Sequence, residues 1–151
     1  MTPGVTSALR TSENQPGPLL VDTSVAVALV VADHTAHETT IEALGGRRLG
    51  LAGHAAFETF SVLTRLPSPA RRTPAAAARL ISVNFPNTKF ISPQAASGLV
   101  ERLSHLGIAG GSVYDALVAG AAEEHKITLA TRDRRALETY RKFRVDLEIL
   151  G

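Results

Sequence analysis

The chain has 151 residues, 44% of them hydrophobic, with a formal net charge of +2 and no cysteine. That length suits one domain burying about 68–70% of its unfolded surface, and the missing cysteines exclude disulfides, zinc–thiolate sites and thiol catalysis. No apolar run reaches the ~18 residues of a membrane helix and no signal-peptide pattern opens the chain, so a cytoplasmic protein without membrane contact is expected.

Residues 1–17, with Thr, Ser, Asn, Gln, Pro and Gly and hardly any apolar content, read as a flexible N-terminal extension; the folded domain is expected over residues 18–151. Leu19–Val21 reads as a short buried strand. The helical spacing of Val25, Ala28 and Leu29 predicts a helix from Ser24 to about Val31. A second helix is expected over His34–Leu44, stopped by Gly45-Gly46. Leu49-Gly-Leu51 is a weak strand candidate. Ala55–Leu66 reads as helix, ended by Pro67 and Pro69. Pro74 suits the first position of a helix running to about Val83. Lys89–Ser92 is strand-like, and Pro93–Leu106 reads as helix despite Gly98. Ser112–His125 is the clearest helix. A strand over Ile127–Thr131, a helix over Arg134–Arg141 and a final strand over Asp146–Leu150 complete the pattern. Strands alternating with helices predict an α/β fold with a parallel sheet covered on both faces.

Four carboxylates stand out within this pattern. Asp22 ends the first strand and opens Thr-Ser-Val. Glu58 lies within the helical stretch Ala55–Leu63. Asp115 follows Gly110-Gly-Ser-Val-Tyr and is the first acid of a helical run, and Asp133 comes straight after the Ile127–Thr131 strand. In a parallel α/β sheet, acids that follow strands stand at the carboxyl edge, where sites form. Four converging carboxylates repel one another, and a hard divalent cation removes that objection; oxygen-only ligands suit Mg2+ or Mn2+.

The frames Val21-Asp22-Thr-Ser, Phe57-Glu58-Thr-Phe, Tyr114-Asp115-Ala-Leu and Thr131-Arg-Asp133, separated by 36, 57 and 18 positions, resemble the four acidic motifs of PIN-domain ribonucleases. In particular they resemble VapC-type toxins of bacterial toxin–antitoxin pairs, and the likeness covers roughly Leu19 to Leu150. The resemblance implies a three-layer α/β/α fold around a central, mostly parallel sheet. It implies an Mg2+-dependent endoribonuclease, with Mn2+ as substitute, that cleaves tRNA or rRNA loops and blocks translation. Asp22 and Asp115 would ligate metal most directly; Glu58 and Asp133 would ligate, bind through water or orient the attacking water. Ser24 and Thr131 match hydroxyl positions beside the family's acids. Arg132, Arg134 and Arg135 flank Asp133 and are candidates for gripping the substrate backbone, or else ordinary solvated charges. A small cognate antitoxin and a homodimer are the implied partners, with DNA reached only indirectly through the antitoxin. An amphipathic antitoxin helix is expected in an apolar groove that includes Phe57, Phe60, Val62 and Leu63. Amide replacements of Asp22 and Asp115 are expected to abolish cleavage and leave the fold intact.

Each acid also has an ordinary structural reading. Asp22 and Asp133 suit helix caps, and Asp115 completes Ser112-Val-Tyr-Asp115, the spacing of a capping box. Glu58 suits a solvated helix face. His34 and His37 read as an exposed pair, and His54 as a neighbour of Glu58. No Gly-x-Gly-x-x-Gly, P-loop or Gly-x-Ser-x-Gly pattern is present, which removes dinucleotide, P-loop and serine-hydrolase chemistry. The rival class is a non-catalytic module of the same fold that binds RNA or protein without cutting it.

Overall fold

The computed structural model describes residues 17–151. The extension expected over residues 1–17 therefore lies, Gly17 apart, outside the described residues. Four short strands, β1 (Leu19–Val21), β2 (Leu49–Leu51), β3 (Thr128–Thr131) and β4 (Leu147–Ile149), form one sheet in the order β2-β1-β3-β4. All three pairings are parallel, so the sheet is wholly rather than mostly parallel. Every residue of β1 and β2 is buried, which requires cover on both faces of the sheet. β4 lies at the edge and is half-exposed.

The helices supply that cover. They are α1 (Thr23–Val30), α2 (His37–Leu44), α3 (Ala55–Thr64), α4 (Pro74–Asn84), α5 (Pro93–Leu106), α6 (Ser112–His125) and the single turn α7 (Leu137–Tyr140). Local chemistry sets their ends. Thr73 and Ser92 cap α4 and α5 through Ala76 N and Ala95 N, each followed by proline in the first turn, and Gly107 closes α5 in the left-handed conformation. Six small or apolar residues of α6, from Ala116 to Ala122, are buried, so this helix runs close along the core. No helix among the described residues is long and apolar enough to cross a membrane.

Four expectations need correction. α2 begins at His37, because residues 32–36 form turns in which His34 Nδ1 accepts from Ala36 N at 3.0 Å. His37 Nδ1 meets Ala28 O at 2.9 Å, so the two histidines are half-buried and tied to backbone rather than an exposed pair. Lys89–Ser92 makes one bridge, Ala52 to Lys89, before Pro93 opens α5. The segment before that bridge presses on β2: a Cβ at Gly50 would stand 2.1 Å from Asn87 O, so only glycine lets the two backbones meet. The helix expected over Arg134–Arg141 splits into a 3-10 turn, Arg134–Ala136, and α7.

From β1 the chain crosses to β2 on one side, then returns across to β3 on the other. The carboxyl ends of β1 and β3 thus flank the point where strand order reverses, where open α/β sheets leave a crevice.

Candidate active site

A cavity of about 550 Å³ opens there, lined among others by Asp22, Ser24, Glu58, Asp115, Asp133, Arg135 and Tyr140. The structure therefore brings the four acids of four separate segments to one cavity, together with Ser24 and Arg135. Arg132, Arg134 and Thr131 are not on its lining, and Thr131 reaches it through its hydrogen bonds with Asp22 and Asp133.

Asp22 is the most constrained of the four, 4% exposed and N-cap of α1. Oδ1 accepts from Ser24 Oγ at 2.5 Å and Val25 N at 3.2 Å. Oδ2 accepts from Thr131 Oγ1 and from the Tyr140 hydroxyl at 2.8 Å. Burial raises the Asp22 pKa above its ordinary value, and these four donors oppose that shift. The same hydroxyls stitch the strand ends together. Ser24 Oγ accepts from Arg132 N at 2.9 Å, and Thr131 Oγ1 accepts from Asp133 N at 3.0 Å, so the segment carrying Asp133 is registered on β1. Asp133 in turn caps the 3-10 turn, accepting from Arg135 N at 3.0 Å, and its Oδ1 also faces Arg135 Nε at 3.3 Å.

The other two acids come from helices. Asp115 lies in the first turn of α6, whose N-cap is Gly111 with no side-chain cap, so the Ser112–Asp115 capping box does not form. Ser112 is already inside the helix, one position too late to cap it. The Asp115 pKa is raised to about 6, first by desolvation and then by repulsion from Asp133, Glu58 and Asp22, with Arg135 opposing. Glu58 sits in the first turn of α3 and is exposed. Its neighbour Thr59 is buried and donates to Thr23 Oγ1 at 3.3 Å, which fixes α3 against the start of α1.

Sequence reasoning missed Tyr140 and the Thr23–Thr59 contact. A phenol placed 118 positions from Asp22 carries no local signal that it will donate to that carboxylate.

As it stands, no group of three or more His, Asp or Glu side chains among the described residues is gathered tightly enough to hold a metal ion. The donor set nevertheless suits one. It is all oxygen and acidic, and the three other carboxylates are near enough to push the Asp115 pKa upward. A divalent cation would turn that repulsion into attraction. Asp115 and Glu58, on which no hydroxyl clamp like that of Asp22 acts, would close on it by side-chain rotation.

Residues 19–142 match the family model described as PIN domain. The chain is 48% identical over 132 residues to ribonuclease VapC27 of Mycobacterium tuberculosis (strain ATCC 25618 / H37Rv), covering 87% of this chain and 96% of that protein. It is 42% identical over 130 residues to ribonuclease VapC40 of Mycobacterium tuberculosis (strain CDC 1551 / Oshkosh), covering 85% and 96%. In fold it is similar to a chain of VapBC2 from Rickettsia felis bound to a promoter DNA fragment, with TM-score 0.62, 14% identity and 88% and 98% coverage. A chain of DNA-bound VapBC from Salmonella typhimurium gives TM-score 0.61 at 15% identity, with the same two coverages.

Proposed function

This chain belongs to the PIN-domain family, among its VapC-type ribonucleases, and from that premise we propose that it cuts RNA at the acid cavity with a divalent metal, Mg2+ or Mn2+. The observation that carries this reading is the meeting of Asp22, Glu58, Asp115 and Asp133 on one cavity at the carboxyl ends of β1 and β3. These four would hold the cation. Bound there, it supplies Lewis acidity toward the phosphodiester, lowering the pKa of water and offsetting charge on the leaving oxygen.

The chain's own residues do the remaining work. Ser24 and Thr131 fix the Asp22 carboxylate and oppose the rise in its pKa that burial causes, which keeps one ligand in place before the others close. Arg135, highly exposed on the cavity lining, would meet a backbone phosphate of the RNA. Arg132 and Arg134 stand off the cavity lining and are the weaker candidates for that role.

The preferred substrate is a structured RNA loop of tRNA or rRNA, whose cleavage would stop translation, and the partner is a small antitoxin encoded with it. Apolar side chains beside the cavity support an antitoxin helix: Phe57 is 63% exposed and Phe90 48%. Their rings lie 5.7 Å apart, and His54 stacks on Tyr114 at 5.0 Å. Leu63, expected in that groove, is fully buried, and Phe60 packs beside it, so the groove is formed by Phe57 and Phe90 instead. A homodimer is the expected assembly, and DNA would be met through the antitoxin alone.

The test incubates total cellular RNA with the purified chain and Mg2+. Cleavage is expected with the natural chain and is expected to vanish with chelator or with Asp115→Asn. Equal cleavage by a folded Asp115→Asn protein would remove Asp115 from the site.

A further inference from the structure

A carboxylate offers about four lone-pair positions, and at Asp22 four donors already fill them. Three of those donors are anchored independently of Asp22. Val25 N belongs to the first turn of α1, Ser24 Oγ is also held by Arg132 N, and Thr131 Oγ1 by Asp133 N. The Tyr140 hydroxyl has its one hydrogen bond, among the described residues, to Asp22 Oδ2. Tyr140 also lines the acid cavity, whereas Thr131, the other donor to that oxygen, does not. Ser24 lines the cavity too, but its hydroxyl is also held by Arg132 N. Of the two donors a cation entering the cavity would meet at Asp22, the Tyr140 hydroxyl is therefore the one held by Asp22 alone.

We propose that the Tyr140 hydroxyl is a placeholder for the cation on Asp22 Oδ2, satisfying the buried carboxylate when no cation is bound and giving up that hydrogen bond when one binds. This rests on the metal-site reading above. A buried carboxylate left without a partner is costly, and burial already raises the Asp22 pKa. The phenol suits the task chemically. It donates one proton, its own ionisation is suppressed by burial and by the neighbouring carboxylates, and it carries no charge to repel a cation. Because Ser24, Val25 and Thr131 hold the carboxylate's orientation, losing the fourth donor leaves Asp22 aimed as before. Tyr140 thus lowers metal affinity in exchange for a stable metal-free site.

Calorimetric titration of Mn2+ into the purified full chain and into Tyr140→Phe tests this without any substrate. The variant should bind roughly tenfold tighter, the lower end of what one hydrogen bond to a charged group is worth. It should also melt lower than the natural chain in chelator. Equal or weaker Mn2+ binding by a folded variant overturns the proposal. A second measurement covers the case where Tyr140→Phe fails to fold. The chain has two tyrosines and no tryptophan, so Tyr114→Phe leaves Tyr140 as the sole chromophore of its kind. Saturating Mg2+ should shift its near-ultraviolet absorbance as the hydrogen bond is lost, and an unchanged spectrum with metal demonstrably bound overturns the proposal. If neither the natural chain nor the variants bind Mn2+ at all, the metal-site reading falls, and this inference with it.

Discussion

Asp22 stands at the end of β1, nearly buried, with donors from three segments around its carboxylate. Asp115, on α6, shares the same cavity but is half-buried and shaped by repulsion from the other three acids. Burial raises the pKa of both acids, but at Asp22 four hydrogen-bond donors oppose that shift, whereas at Asp115 three neighbouring carboxylates add to it. The strand-end side of the cavity is a preorganised ligand, and the helix side is a spring held open by like charge. A cation gains most by closing the second onto the first. The contrast predicts that the same chemical substitution, Asp to Asn, will have opposite effects on stability in the two places.

Asp22→Asn should have the largest effect. An amide at this position directs a donating NH₂ at donors that have no other acceptor there, and leaves at least one buried group unsatisfied at about 1–3 kcal/mol. For a chain of this size that is a fall in Tm of roughly 2–12 °C, together with loss of RNA cleavage. The sequence leads to the expectation of an intact fold without cleavage; the four donors add to it a loss of stability. Differential scanning calorimetry in chelator checks it, and an unchanged Tm would mean the carboxylate is not gripped as described. Thr131→Val comes next. It removes a donor to Asp22 and the acceptor for Asp133 N. Orientation of a ligand by its neighbours is typically worth 10–100-fold in metal affinity, so Mn2+ binding should weaken by about that factor. The Tm should fall by less than with Asp22→Asn. Undiminished Mn2+ affinity would show that the hydroxyl seam is structural only.

What the sequence made legible was whatever depends on neighbours in the chain. An apolar triplet followed by Asp-Thr-Ser places an acid at a strand end and a helix start at once, and Asp22 occupies both roles. Helices α5 and α6 have the limits expected from their Pro, Gly and apolar spacing. The failures share a different origin. Lys89–Ser92 looks like a strand, yet strand pairing depends on a partner, and only Lys89 bridges before Pro93 turns the chain into α5. The capping box at Ser112 has the right spacing, but Gly111 takes the cap, which a one-residue shift in helix start decides. Tyr140 and Thr59 gain their meaning from contacts 118 and 36 positions away, set by packing rather than by local pattern.

The smallest predicted effect lies on the helix side and is a matter of pH. The Asp115 carboxyl has an ordinary value of 3.8 and is raised to about 6 in the folded chain. Between those values the folded state holds a proton that the unfolded state has lost, so stability attributable to this group falls as pH rises through the window. Below about pH 4 both states are protonated and the penalty is absent; above about pH 6 it is fully present. Asp115→Asn removes the titrating charge. In chelator the variant should therefore match the natural chain's Tm near pH 4 and exceed it slightly at pH 7, the gap opening across that interval. Taking the difference between the two proteins cancels the acid response of the carboxylates outside the cavity, leaving that of Asp115 and the three acids that repel it. Mg2+ should reverse the ordering at pH 7, because a cation that binds the native site stabilises the natural chain while the variant has lost a ligand. A gap independent of pH would show that desolvation and repulsion at Asp115 are already relieved in the metal-free protein, and the helix side of the cavity would then be no spring at all.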